Sequence, residues 1–148
     1  MSMAEEKHYD IVIVGGGPGG LTAGMYGARA NLKTVMVEKF MPGGQIANTE
    51  EVEDYPGFEH ITGAELAMKM QKHAEKFGLE VLSDEITEIR SEGETRKVAV
   101  GAGGTSYVGK QMIVATGGSA VKLGVPGERE FSGKGVSYCA ICDGAFFK

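Results

Sequence analysis

Apolar positions along the chain fall into two periods. The first run, Tyr9-Asp10-Ile11-Val12-Ile13-Val14, is nearly continuous and β-branched. That suits a strand buried on both faces. A glycine turn follows from Gly15 to Gly20, and Pro18 stands where a first helical turn tolerates proline. Leu21 to Ala30 predicts a helix, in which Ala23, Gly24, Gly27 and Ala28 are small enough to let it lie close to a sheet. Asn31 is suited to a left-handed helix stop. Thr34 to Glu38 predicts a second strand. The three elements make a right-handed βαβ unit of about thirty residues with parallel strands.

Residues 39–60 carry Gly, Pro, Asn and acids without periodicity, and a loop of that length in a compact domain is usually functional. Thr62-Gly63-Ala64-Glu65 matches a capping box. Leu66, Ala67, Met70, Ala74 and Phe77 then share one helical face, and Gly78 ends the helix. Leu79 to Val81 predicts a short strand. Residues 84–90, 96–100 and 105–108 alternate like a small antiparallel meander, and Gln111 to Ala115 predicts a further buried strand. Val125-Pro126-Gly127 reads as a linker. The pattern gives an α/β fold, a Rossmann-like βαβ sheet with a β-meander. Residues 1–8 form a tail, 9–124 a first domain, and 125–148 a linker with the start of a second.

Composition narrows the class. The 148 residues suit about one domain, and 42% hydrophobic content is enough for a core. A net charge of −5 argues against a surface built on nucleic-acid phosphates. The N-terminus lacks the apolar core of a signal peptide, and Ile11 to Val14 is far too short to cross a membrane, so a cytoplasmic protein is expected. Two closely spaced cysteines in such a chain point to catalysis or metal binding before a structural staple.

The chemistry lies in two motifs. In Gly15-x-Gly17-x-x-Gly20, the first glycine permits a tight turn, the second lets a pyrophosphate touch backbone, and the third lets helix and strand pack closely. A lone match is weak. Here it follows a strand, opens a helix, and is followed by Glu38 at the end of the next strand. That carboxylate is placed for ribose hydroxyls and would repel a 2′-phosphate, which suits FAD or NAD. Gly43-Gly44-Gln45 has glycines that let N–H groups face a cofactor and a glutamine able to reach a flavin edge. Thr116-Gly117-Gly118 ends a strand at the edge where α/β sheets bind ligands. Either segment alone also reads as a plain turn.

Cys139-x-x-Cys142 would be half a zinc site, but His8, His60 and His73 are singletons without ligand spacing and no second cysteine pair exists, so no metal is expected. A redox pair explains more, because the reactive form is the thiolate and a helix N-terminus lowers its pKa. Asp143 beside it is either a proton shuttle or a helix cap and turn residue. The methionines read as core filling. Glu50, Glu51, Glu53 and Asp54 read as a solvated acidic loop.

Together these residues resemble the bacterial-type, low-molecular-weight thioredoxin reductases. The resemblance runs from Tyr9 to Phe147 and rests on GGGPGGLTAGMYGARANLKTVMVE, PGGQIANTEEVEDYPGF, ITGAELA, IVATGG and, most specifically, GVSYCAICDGAFF. It implies bound FAD, NADPH as electron source, and thioredoxin or a similar small dithiol protein as acceptor. It implies that Cys142 is the flavin-proximal sulfur, that Cys139 attacks the partner disulfide, and that Asp143 is the acid/base. Gly15, Gly17, Pro18 and Gly20 would cradle the FAD pyrophosphate and Glu38 the adenosine ribose. Lys39, Gly43, Gly44, Gln45, Asn48 and Asp54 would line the rest of the path. Val81 would meet the adenine through backbone, and Ala115, Thr116 and Gly117 would lie beside the cofactor. A flavin dithiol oxidase or peroxidase-linked reductase would share these motifs, as would a non-enzymatic FAD-binding module or inactive fragment.

The sequence departs from the family pattern at Asp54, where Asn is frequent, and at Gly19, Gly24, Gly27 and Gly118, where Ala is common. The family also continues past the dithiol into a second glycine fingerprint for NADPH, and only one fingerprint is present here. The expectation is therefore the N-terminal portion of a longer, homodimeric reductase, stopping before a complete NADPH domain. As an isolated chain it would be inactive, with an open sheet edge and an exposed apolar face.

Overall fold

The computed structural model of the chain describes residues 5–144. Contacts divide it into two compact units, Met1–Gly117 and Gly118–Lys148, a division earlier than the 124/125 boundary read from the Val-Pro-Gly segment. The first unit holds a mixed sheet of β1 (Glu6–Val14), β2 (Thr34–Glu38), β3 (Glu80–Ser83), β4 (Ile86–Ser91), β5 (Lys97–Gly101) and β6 (Ser106–Val114). Their spatial order is β3-β2-β1-β6-β5-β4. β3, β2, β1 and β6 run parallel, and the meander of β4 and β5 joins β6 antiparallel. Two helices, α1 (Pro18–Arg29) and α2 (Gly63–Lys76), complete the unit. Among the described residues no helix is long and apolar enough to cross a membrane.

β1 begins at Glu6, inside the expected tail, because β6 recruits it. Glu6 pairs with Ser106, and the Ser106 N–H donates to the Glu5 carbonyl at 2.8 Å. The polar start is thus held by a ladder, not by its own hydrophobicity. The N–H groups of Asp10 and Ile11 both donate to the Lys33 carbonyl, at 2.8 and 3.3 Å. Tyr9 and Val12 lie in the same apolar cluster. That cluster joins Val14, Val35, Val37, Ala99 and Tyr107. A second gathers Ile13, Met36, Leu21, Ala28, Ala74 and Leu79 from sheet and helices.

The helices form as their signals direct. Pro18 opens α1, and Asn31 follows it at φ 60°. Small residues do let α1 lie close: a Cβ on Gly24 would stand 2.6 Å from a Leu79 methyl. Thr62 and Glu65 close both halves of the capping box on α2. Residues 105–108 and 111–115, expected as two strands, fuse into the continuous β6.

The buried strand expected at Gln111 to Ala115 is corrected. β5 pairs with β6 only as far as Gly109, so the Gln111–Val114 stretch is laddered to β1 alone. Ile113 and Val114 are 37% and 59% exposed. Their β-branched character records strand propensity, whereas burial depends on a neighbour that residues 111–114 lack on that side among the described residues.

The second unit is built from turns. The Phe131 N–H donates to the Gly127 carbonyl at 2.9 Å, and Ser132 bridges Val136. Val125-Pro126-Gly127, read as a linker, is one of these turns: its Val125 carbonyl accepts from the Glu128 N–H at 3.2 Å. A single helical turn, α3 (Ala140–Asp143), carries the cysteines' end.

Candidate nucleotide cradle and dithiol

The cradle forms where β1 meets β6. The chain winds from β1 through β2 to β3 on one side, then returns to place β6 on the other. Such a switch point leaves a crevice at the carboxyl ends of the strands. Gly15 follows β1 at φ +104°, and its N–H donates to the Val37 carbonyl at 2.9 Å. A Cβ at Gly15 would run into the Ala115 carbonyl, and one at Gly20 would run into the Gly15 carbonyl. Both glycines are demanded by the protein's own backbone.

Gly17 differs. It caps α1 with φ −69°, a conformation open to any residue, and a Cβ there would meet nothing within 4 Å. No side chain caps this helix end, and no acid lies in its first turn. The positive end of α1 and the bare Gly17 thus face space suited to an anion.

Glu38 ties the turn to β2. One carboxylate oxygen accepts from the Gly16 N–H at 2.5 Å, and the other from the Phe40 N–H at 2.9 Å. A carboxylate has about four acceptor positions, so room remains for two hydroxyl donors. Gly43 closes the ring by donating its N–H to the Gly16 carbonyl at 2.7 Å. A Cβ on Gly44 would come within 3.1 Å of the Gly17 Cα. Gly15, Gly17, Pro18, Gly20, Glu38, Gly43, Gly44 and Ala115 are therefore brought together. Gly16 was missed as a site residue; its signal was the middle glycine of the unbroken run Gly15–Gly17.

The remaining predicted residues stand around this ring. Gln45 and Asn48 lie on the 3-10 turn Gly44–Asn48, both exposed. Thr116 and Gly117 follow β6, exposed. Val81 lies on the edge strand β3, in register with Met36. Lys39 extends to Glu85 at 2.7 Å, so its ammonium is engaged in an ion pair. Asp54 sits in a shallow concavity with Glu53, Tyr55, Pro56, Gly57, Phe58 and Glu59, none of them a residue of the glycine ring. The same loop holds something the spacing of histidines concealed. The Val52–Ile61 bridge brings His60 beside Glu51 and Glu53, with ligand atoms within 4.8 Å of one another. All three are exposed, and the His60 Nδ1 is paired with Glu51 at 2.9 Å.

In the second unit Cys139 and Cys142 form a disulfide with Cα atoms 5.3 Å apart. Cys139 is the N-cap of α3, and its sulfur accepts from the Cys142 N–H at 3.2 Å. Ser137 Oγ accepts from the Cys139 N–H at 3.1 Å and donates to the Cys139 carbonyl at 3.2 Å. The Asp143 side chain lies outside the described residues.

A model of the pyridine nucleotide-disulphide oxidoreductases matches residues 9–148. The chain belongs to that family. It is 56% identical over 146 residues to the thioredoxin reductase of Bacillus subtilis, covering 99% of this chain and 46% of that protein. The solved thioredoxin reductase of Streptococcus pyogenes superposes with a TM-score of 0.81 at 47% identity, over 94% of this chain and 45% of that one. A ferredoxin-flavin thioredoxin reductase from Clostridium acetobutylicum superposes at 0.70 with 29% identity, over 97% of this chain and 49% of that one. The chain spans about half the length of the curated relatives it matches. The expected α/β, Rossmann-like sheet with its meander is that of these reductases.

Proposed function

We propose that the chain is the flavin-binding and dithiol-bearing part of a thioredoxin-disulfide reductase that uses NADPH. The observation that carries the reading is the pairing of the open Gly17 cradle and Glu38 with a Cys139–Cys142 disulfide in one chain of this family. Gly15, Gly17 and Gly20 would hold the FAD pyrophosphate on the end of α1, and Glu38 would hold the ribose. When bound, FAD supplies two-electron exchange between a nicotinamide and a disulfide. A thioredoxin partner is supported by the names of the relatives.

The chain's own residues define the thiol chemistry. Once the disulfide is reduced, the Cys142 N–H that points at the Cys139 sulfur favours negative charge there. The Cys139 thiolate attacks one sulfur of the partner disulfide. That S–S bond breaks, a mixed disulfide forms, and one partner thiolate leaves. The Cys142 thiolate then attacks Cys139, restoring the intrachain bond and releasing the second partner thiolate. Two electrons pass to the partner, with two protons taken up there. Ser137, holding both backbone polar groups of Cys139, orients the attacking sulfur.

Trapping tests this. The Cys142→Ser variant, reduced and mixed with oxidised thioredoxin, should yield a one-to-one mixed disulfide by mass, and Cys139→Ser should not. Trapping through Cys142 alone, or none from either variant, contradicts the assignment. The ferredoxin-flavin relative shows that this architecture occurs under more than one donor name, so the donor class is the second reading to separate.

A further inference from the structure

We infer that Glu128 is a positioning residue for the dithiol, acting through Tyr138 to hold Cys139 in the geometry that closes the disulfide. This rests on the redox reading of the cysteines. Glu128 is only 7% exposed in a unit made of turns. A buried carboxylate persists only where donors replace water. Its donors are the Leu123 N–H at 2.9 Å, the Gly124 N–H at 2.6 Å and the Tyr138 hydroxyl at 2.7 Å. Two of the three come from the consecutive backbone residues Leu123 and Gly124, so the carboxylate is anchored there as well as at Tyr138. The phenol is the third, and it is the residue immediately before Cys139.

The consequence is mechanical. Tyr138 is 42% exposed, so little packing holds its ring. The hydrogen bond to Glu128 supplies the restraint. The same bond holds the Glu128 carboxyl below its ordinary range and the Tyr138 phenol above its own. Ser137 then clamps the Cys139 backbone from the other direction. A restrained Cys139 has fewer conformations to lose when the sulfurs join, which raises the effective concentration of one thiol at the other. Nothing in the sequence singled out Glu128, which reads as a polar residue in a turn. Removing the restraint should leave the thiols intact and shift their equilibrium toward the reduced form.

The test is the equilibrium of the whole chain with glutathione, read as the fraction of free thiol. In that exchange the glutathione S–S bond breaks and the Cys139–Cys142 bond forms. Two electrons and two protons pass to the glutathione sulfurs. Tyr138→Phe removes one hydroxyl and keeps the ring. It should lower the equilibrium constant for closure about two- to tenfold, the range of one hydrogen bond. Glu128→Gln should do the same, and the double variant should fall no further than Glu128→Gln alone. Glu130→Gln, an exposed neighbour, should leave the constant unmoved. An unchanged constant in Tyr138→Phe, or additive losses in the double variant, overturns the inference and leaves the redox reading standing. A wild-type chain whose disulfide does not exchange with glutathione overturns both.

Discussion

The turn from Val14 to Gly20 is held by strands distant in sequence, whereas the turn from Tyr138 to Gly144 is held by its own neighbours. Gly15 hangs from Val37 of β2, Ala115 donates to Val14 from the end of β6, and Gly43 donates to Gly16. Every one of those bonds crosses more than twenty residues of sequence. Around the dithiol the partners are Ser137, Cys139 and Cys142, with Glu128 reaching Tyr138 from ten residues away. The first region borrows the rigidity of a sheet, and under the proposed function its backbone groups and the Glu38 carboxylate would hold the nucleotide. The second has little core and tunes its sulfur through a few side chains. Changes in the first should therefore spread into stability, and changes in the second should stay in the chemistry.

The sharpest way to break this contrast is Gly20→Val. Its Cβ would enter the Gly15 carbonyl, where backbone must move. The first unit should lose at least about 2 kcal/mol in a denaturant titration. The Cys139–Cys142 disulfide should still form, so a free-thiol assay should read none. Free thiol appearing in the variant would mean that the two regions depend on one another.

High pH offers a subtler division. The Tyr9 phenol is pushed from 10.0 up to about 12, first by burial and then by the nearby Glu80 carboxylate. Tyr107 is raised further, by burial and by its bond to Asp84 at 2.8 Å. A raised value means that the folded chain holds the proton more tightly than the unfolded one. That stabilisation is complete below about pH 10 and drains away as pH rises through the folded values. Unfolding measured from pH 9 to 12, roughly, should show the first unit weakening, and Tyr9→Phe should flatten the decline. A decline unaltered by Tyr9→Phe would remove burial of this phenol as its cause.

How much was legible in the sequence follows the same contrast. β1, α1, β2 and α2 were readable because local signals and tertiary demands agree there: β-branched runs, a proline start, a capping box. Gly15 and Gly20 could be named because backbone contacts require a glycine at each, so residue type reports them. What could not be read depended on partners. The polar start of β1 needed the β6 ladder, and the exposure of Ile113 and Val114 depends on a neighbour, not on the residues themselves. His60 meets Glu51 and Glu53 only because Val52 pairs with Ile61. Glu128 was invisible for the same reason, since its role lies in a phenol and two amides that a linear pattern does not join.

The central claim is that the chain folds around a cradle for a nucleotide, and Gly17 tests it most directly. Its Cβ would touch no protein atom, so Gly17→Val should lower the stability of the ligand-free chain only by the loss of a favoured helix cap, about 1 kcal/mol. The measurement is a flavin-fluorescence titration of wild type and variant with FAD. The account predicts saturation at one flavin per chain for wild type and affinity weakened at least about tenfold in Gly17→Val. A wild-type chain that never saturates, or equal affinity in both proteins, would contradict it.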